Sequence, residues 1–105
     1  MVHLIWTEPA LHDLETIAEY IALDKPKAAK QLVQRVFQAT DRLALFPKSG
    51  RVPPEISDLP YREVIVPPCR VFYRIEQGKV FIVYVMRGGQ ELHESTLRER
   101  KPSTP

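Results

Sequence analysis

Two periods divide the chain. From Leu11 to Ala44 apolar residues recur every three or four positions, and from Tyr61 to Arg87 they recur roughly every two. The first spacing predicts helices that bury one stripe, the second strands that bury one face. A short run rich in strand formers, V-H-L-I-W (Val2 to Trp6), precedes both and predicts a first strand. Thr7 follows as an N-cap, with Glu8 and Pro9 in the first turn, where a missing N–H costs nothing and an acid complements the helix dipole. Leu11, Leu14, Ala18, Ile21 and Ala22 mark one face of this helix to about Leu23, and Asp13, Glu15 and Glu19 lie off it. D-K-P-K, 24 to 27, repeats the start signal almost without a linker, so the second helix must run antiparallel to the first. Its stripe is Ala29, Leu32, Val33, Val36, Phe37, Thr40, Leu43 and Ala44, and Phe46-Pro47 followed by Ser49-Gly50 ends it.

Residues 47 to 60 hold four of the ten prolines and predict an ordered, irregular loop. Three strands follow, Tyr61 to Val66, Cys69 to Glu76 and Lys79 to Arg87, joined by Pro67-Pro68 and by the hairpin signal Gln77-Gly78. The expected fold is α+β: an N-terminal strand, then an antiparallel helical hairpin packed on one face of an antiparallel β-sheet. Residues 1–92 make a single domain. Residues 93–105 are expected to be a tail, with Leu92 and Leu97 as contacts of a short helix within 91–101 and a frayed P-S-T-P end.

In the middle sheet strand, Cys69, Val71, Tyr73 and Ile75 point one way and Arg70, Phe72, Arg74 and Glu76 the other. The first set predicts the core face. An unpaired guanidinium is too costly to desolvate for the second set to be buried without partners, so two readings stand. Either Arg70 and Arg74 belong to a solvated face and pair with Glu63 or Glu76, or they form a basic face that takes acidic residues or phosphates through their planar forks. Phe72 between them favours an interface. Every position from Val80 to Met86 is apolar or aromatic, which predicts a central strand ending at Arg87. Trp6 is expected to pack under the hairpin, and Cys69 to be a small core residue.

Composition narrows the functional classes. A chain of 105 residues with 44% hydrophobic and 27% charged content predicts one globular domain. No run is apolar for the roughly 18 to 20 residues a membrane span needs, and the start lacks a signal peptide's pattern, so the expected location is cytoplasmic. One cysteine and three scattered histidines give no disulfide and no metal site, and no cofactor is expected. The formal charge of +2 argues little for nucleic acid, and no sequence-specific DNA binding is expected. Its distribution says more. Residues 1–47 carry five basic against six acidic side chains, whereas 60–90 carry five against two, so an acidic partner should meet the second half.

The order of these elements, with D-K-P-K-A-A (24–29), L-A-L-F-P-K-S-G-R (43–51), Y-R-E-V-I-V (61–66), R-V-F-Y-R-I (70–75) and V-F-I-V-Y-V-M-R-G-G-Q-E (80–91), resembles the ParE/RelE toxin superfamily, over about residues 3 to 92. The pattern is nearer to ParE, whose members inhibit DNA gyrase, than to RelE, whose members cut mRNA on the ribosome. The resemblance implies a cytoplasmic toxin that is not an enzyme, with DNA gyrase as target and a ParD-like antitoxin as partner, and leaves a homodimer open when the antitoxin is absent. The expected partner-binding residues are Arg62, Arg70, Phe72, Arg74 and Arg87. Charge reversal at Arg70 and Arg74 is then expected to weaken toxicity or neutralisation with little loss of fold.

The alternative the resemblance carries is a ribosome-dependent endoribonuclease using Arg70, Arg87 and His93. RNA cleavage needs cations around the scissile phosphate and a group that moves a proton. Against it, Gln90 occupies the position of the next RelE arginine and Thr96 that of the late tyrosine. Two residues also depart from the ParE pattern: Cys69 replaces the usual tyrosine before Arg70, and Arg87 stands where a histidine is usual. A third class, a folded module that only sequesters an antitoxin, predicts harmless expression.

Overall fold

A computed structural model describes residues 1–100. The elements are β1 (His3–Trp6), α1 (Glu8–Ala22), α2 (Pro26–Asp41), β2 (Tyr61–Val66), β3 (Cys69–Glu76), β4 (Lys79–Arg87) and α3 (Glu94–Glu99). Single 3-10 turns at Arg42–Ala44 and Pro54–Ile56 shape the chain between α2 and β2. Thr7 caps α1 as expected, its Oγ1 accepting the Ala10 N–H at 3.4 Å, and the same hydroxyl donates to the Ile82 carbonyl at 2.8 Å. One side chain thus starts the helix and fixes it to the sheet. Thr40, on the apolar stripe of α2, is buried without cost because its hydroxyl donates to the Val36 carbonyl one turn back.

The four strands lie in the order β1-β4-β3-β2. The three later strands are antiparallel, as the hairpin signals predict, but β1 runs parallel to β4, with His3 opposite Lys79 and Trp6 opposite Ile82. The sheet is therefore mixed rather than wholly antiparallel. The helical hairpin carries the chain from β1 across one face to the opposite edge, where β2 begins, and the meander back brings β4 alongside β1 in the same direction.

On the helix side, Ala10, Leu14, Ile17, Leu32 and Val36 meet Val66, Cys69, Val71, Tyr73, Val80, Ile82 and Val85 in one core. Trp6 packs on Phe37 with ring centroids 5.1 Å apart, as its expected place under the hairpin requires. Cys69 is a buried core residue, and burial pushes its thiol pKa up, away from reactivity.

The outer face carries a second core. Ile56, Tyr61, Phe72, Val83, Met86 and Leu97 are buried together, with Leu92 packed against them. Leu97, from α3, is fully enclosed, and the Tyr61 hydroxyl donates to its carbonyl at 3.2 Å. The expected C-terminal helix is therefore present, and it closes over the sheet. The frayed P-S-T-P end falls outside the described residues. A bulge where β4 pairs with Phe72 and Tyr73 places one extra residue, Val83, between the partners Ile82 and Tyr84. It sets Val83 and Tyr84 both on the outer face and so resets the alternation, leaving Ile82 and Val85 in the inner core and Val83 and Met86 in the outer one; with both faces covered, the strand reads as apolar at every position.

Candidate functional site

The residues expected to bind a partner do not share a surface. Cross-strand partners lie on one face of a sheet, and Arg62 sits opposite Tyr73 while Arg87 sits opposite Cys69, both in the helix-side core. Arg70 and Arg74 flank Phe72 on the outer face. The single basic face read from the sequence is thus split in two by the pleat.

Phe72 corrects the expectation most directly, because it is wholly buried and takes no part in any surface. It stacks near Tyr84, with centroids 5.7 Å apart, under the cover that α3 supplies. An aromatic on the far side of a sheet marks an interface here, but the interface is with the chain's own C-terminal segment.

Arg70 is the centre of a charge network. Its Nε donates to Glu63 Oε1 at 2.7 Å and its Nη2 to Glu63 Oε2 at 3.1 Å. Its Nη1 and Nη2 donate to the two oxygens of Glu55 at 2.7 and 2.9 Å. Glu63 has no exposed side-chain surface and also accepts from Arg51 Nε at 2.8 Å, while the backbones of Arg51 and Glu63 exchange both hydrogen bonds of a β-bridge. Two forks and two carboxylates balance their charges. The Arg70 guanidinium beside it holds the Glu55 carboxyl at about 2, well below the usual carboxylate range, and Glu55 in turn raises the Arg70 pKa. Phe72 lies under the guanidinium, 5.1 Å from ring centroid to Cζ. The sequence expectation that Arg70 can be reversed with little loss of fold does not fit this arrangement, since a glutamate there would bring a third carboxylate to two that need a cation.

Arg74 pairs with Glu76 at 2.8 Å and covers the Tyr61 ring. Arg62 donates through Nη1 to the carbonyls of Lys48 and Gly50, at 3.2 and 2.8 Å, and so ties β2 to the loop before it. Gly50 is required there: a Cβ would lie 2.5 Å from the Tyr73 hydroxyl, which accepts from the Gly50 N–H and donates to Pro47. The stretches F-P-K-S-G-R and Y-R-E therefore hold one another in place.

The nuclease set is not assembled. Arg70 and Arg87 lie on opposite faces, and His93 is exposed at the start of α3 with its side chain making no cap to the helix. Gln90 accepts the Arg87 backbone N–H at 3.1 Å, a loop-closing role. Among the described residues no group of acidic, histidine or cysteine side chains could hold a metal.

Sequence reasoning passed over Arg51 and Glu55, which complete the Arg70 network, and Asp13, which accepts from Val85 N at 3.0 Å and from Arg100. Arg51 and Glu55 sit in the loop without periodicity. Asp13 showed only as a charge off the stripe of α1.

With this geometry in view, known proteins give a decisive match. A family model described as the ParE toxin of the type II toxin–antitoxin system parDE matches residues 4–92. The chain belongs to this family. It is 37% identical to Toxin RelE2 of Caulobacter vibrioides over 86 residues, 81% of this chain and 93% of that one. It is 40% identical over 88 residues to Putative toxin Y4kP of Sinorhizobium fredii, covering 82% and 88% of the two chains. In structure it is similar to a chain of the chromosomal ParDE toxin–antitoxin system from P. aeruginosa, with a TM-score of 0.68 and 24% identity over 83% of this chain and 96% of that chain. At that identity the likeness speaks for the fold. The ParE match also covers the strand carrying Arg70 and the loop carrying Arg51 and Glu55, so the network lies inside the family domain.

Proposed function

We propose that this ParE-family toxin acts in the cytoplasm as a non-enzymatic inhibitor of DNA gyrase, binding the topoisomerase and trapping its cleaved DNA complex. A ParD-like antitoxin holds it inactive. One observation carries the non-enzymatic reading: Nε, Nη1 and Nη2 of Arg70, the cation a nuclease of this superfamily would need, are all engaged by Glu55 and Glu63. A guanidinium so neutralised offers little to a scissile phosphate, and Arg87 stands on the other face.

The antitoxin has a suitable seat. Leu11, Leu14 and Ala18 of α1 and Val33 and Phe37 of α2 line a shallow apolar groove along the hairpin, and Leu11 is exposed in it. An apolar helix of the antitoxin laid along this groove would bury that surface.

The test is a pair of assays with purified protein: gyrase supercoiling and cleavage, beside translation-coupled cleavage of mRNA. Gyrase inhibition without transcript cuts is the expected result. Transcript cuts without gyrase inhibition would replace it with the endoribonuclease reading, and harmless expression without antitoxin would leave only a sequestering module.

A further inference from the structure

The arginines divide into those that already meet an acid and those that do not. Among the described residues, Arg51, Arg70, Arg74, Arg98 and Arg100 each meet a carboxylate. Arg62 is held by two carbonyls. Among the described residues Arg35, Arg42 and Arg87 have no carboxylate partner, and of these Arg35 and Arg87 flank the Pro67-Pro68 turn between β2 and β3, whereas Arg42 lies beyond the end of α2 beside Ser49 and Arg51. Arg35 donates to the Pro67 carbonyl at 3.2 Å from the α2 side. On the other side Gly88, next to Arg87, donates its N–H to the Pro68 carbonyl at 2.6 Å. Arg87 Cζ lies 5.1 Å from the centroid of the Tyr20 ring, whose residue is 63% exposed, and Leu23 one turn on is 86% exposed.

We propose that Arg35, Arg87 and Tyr20 form a clamp for an extended acidic segment of a partner protein, its carboxylates on the two guanidiniums and an intervening apolar side chain on Tyr20 and Leu23. The partner's identity as the antitoxin rests on the toxin–antitoxin reading above. The clamp itself rests on charge. A guanidinium spread over an aromatic face keeps its N–H edges free for a carboxylate while the ring holds it in place. A nucleic-acid backbone fits less well, because the exposed Tyr20 ring under Arg87 and the exposed Leu23 offer apolar surface that a peptide side chain can cover and a run of phosphates cannot. This places the acidic partner on the helix-side end of the sheet and away from Arg70 and Arg74, whose acids are already their own. It also gives a use to Arg87.

The full chain, labelled with nitrogen-15, is titrated with a blocked peptide of alternating glutamate and leucine, with the glutamine counterpart and a short DNA duplex as parallel arms. The expected result is a saturable shift of the Nε–Hε signals of Arg35 and Arg87 with the glutamate peptide alone, while those of Arg70 and Arg74 stay fixed. Affinity should fall about tenfold for each of Arg35→Glu and Arg87→Glu, and less for Arg87→Lys, which keeps the charge and loses the fork. Movement of Arg70 or Arg74 instead, equal binding of the glutamine peptide, or a response to the duplex without one to the peptide would each overturn the clamp. The wild-type titration decides even if a variant fails to fold. Gyrase assays are a separate readout, so loss of the gyrase reading leaves the clamp result intact.

Discussion

The two faces of the sheet are built by different means. The helix-side face is closed by a hairpin whose apolar stripes are long and regular, and its core is made of apolar side chains from both helices and the sheet. The outer face is closed by pieces: a 3-10 turn bringing Ile56, a short helix bringing Leu97, and a charge network that seats Arg70 on Glu55 and on the fully buried Glu63. The difference teaches how a small chain covers both sides of a sheet with one helical layer. Hydrophobic burial serves one side, and on the other a few apolar anchors are supplemented by ion pairs that cost little only while every member is present.

The largest effect should come from breaking that network. Glu63→Ala leaves the Arg70 fork with only half its acids and is expected to cost about 3–5 kcal/mol in urea unfolding. A loss below about 1 kcal/mol would mean the outer face is solvated in practice. Next, Leu97→Ala should cost about 2–5 kcal/mol, comparable with Leu14→Ala on the helix side. A marked inequality in favour of Leu14 would show that α3 is only a loose cover. Gly50→Ala should follow at about 1–3 kcal/mol, because the added methyl drives Tyr73 off its place, and Tyr73→Phe should not rescue it, since Cε1 of the ring at 2.6 Å and the Glu63 carbonyl at 2.8 Å still crowd the methyl.

The smallest effect is in pH. Glu55 titrates at about 2 in the folded chain against the ordinary 4.5, so it binds its proton more weakly when folded. Its contribution is fully present above about pH 4.5 and is lost as pH falls toward about 2. The melting-temperature gap between the native chain and Glu55→Gln should therefore close over that interval, and a constant gap would count against the Arg70 pairing. Because Glu55 is partly exposed, solvent screening keeps the gap small.

What the sequence discloses follows the same division. The hairpin, the three antiparallel strands and the inward set Cys69, Val71, Tyr73 and Ile75 are legible because period and turn chemistry repeat over many residues. Ile56 and Leu97 are isolated apolar residues in polar surroundings, and nothing local says that they meet Phe72. The pairing of Arg70 with Glu63 and of Arg74 with Glu76 could be foreseen from charge and register, but the burial of Glu63 could not, since it depends on the loop returning through Arg51 and Glu55. The parallel placement of β1 is a long-range choice that a four-residue strand cannot announce.

That placement also sets a clock. β1 is made well before its neighbour β4, where His3 meets Lys79. A pairing so distant along the chain is slow to form, and until it forms Leu4 and Trp6 have no sheet to join. A chain cut before Lys79 therefore keeps the β2–β3 hairpin but has no strand for β1 to pair with.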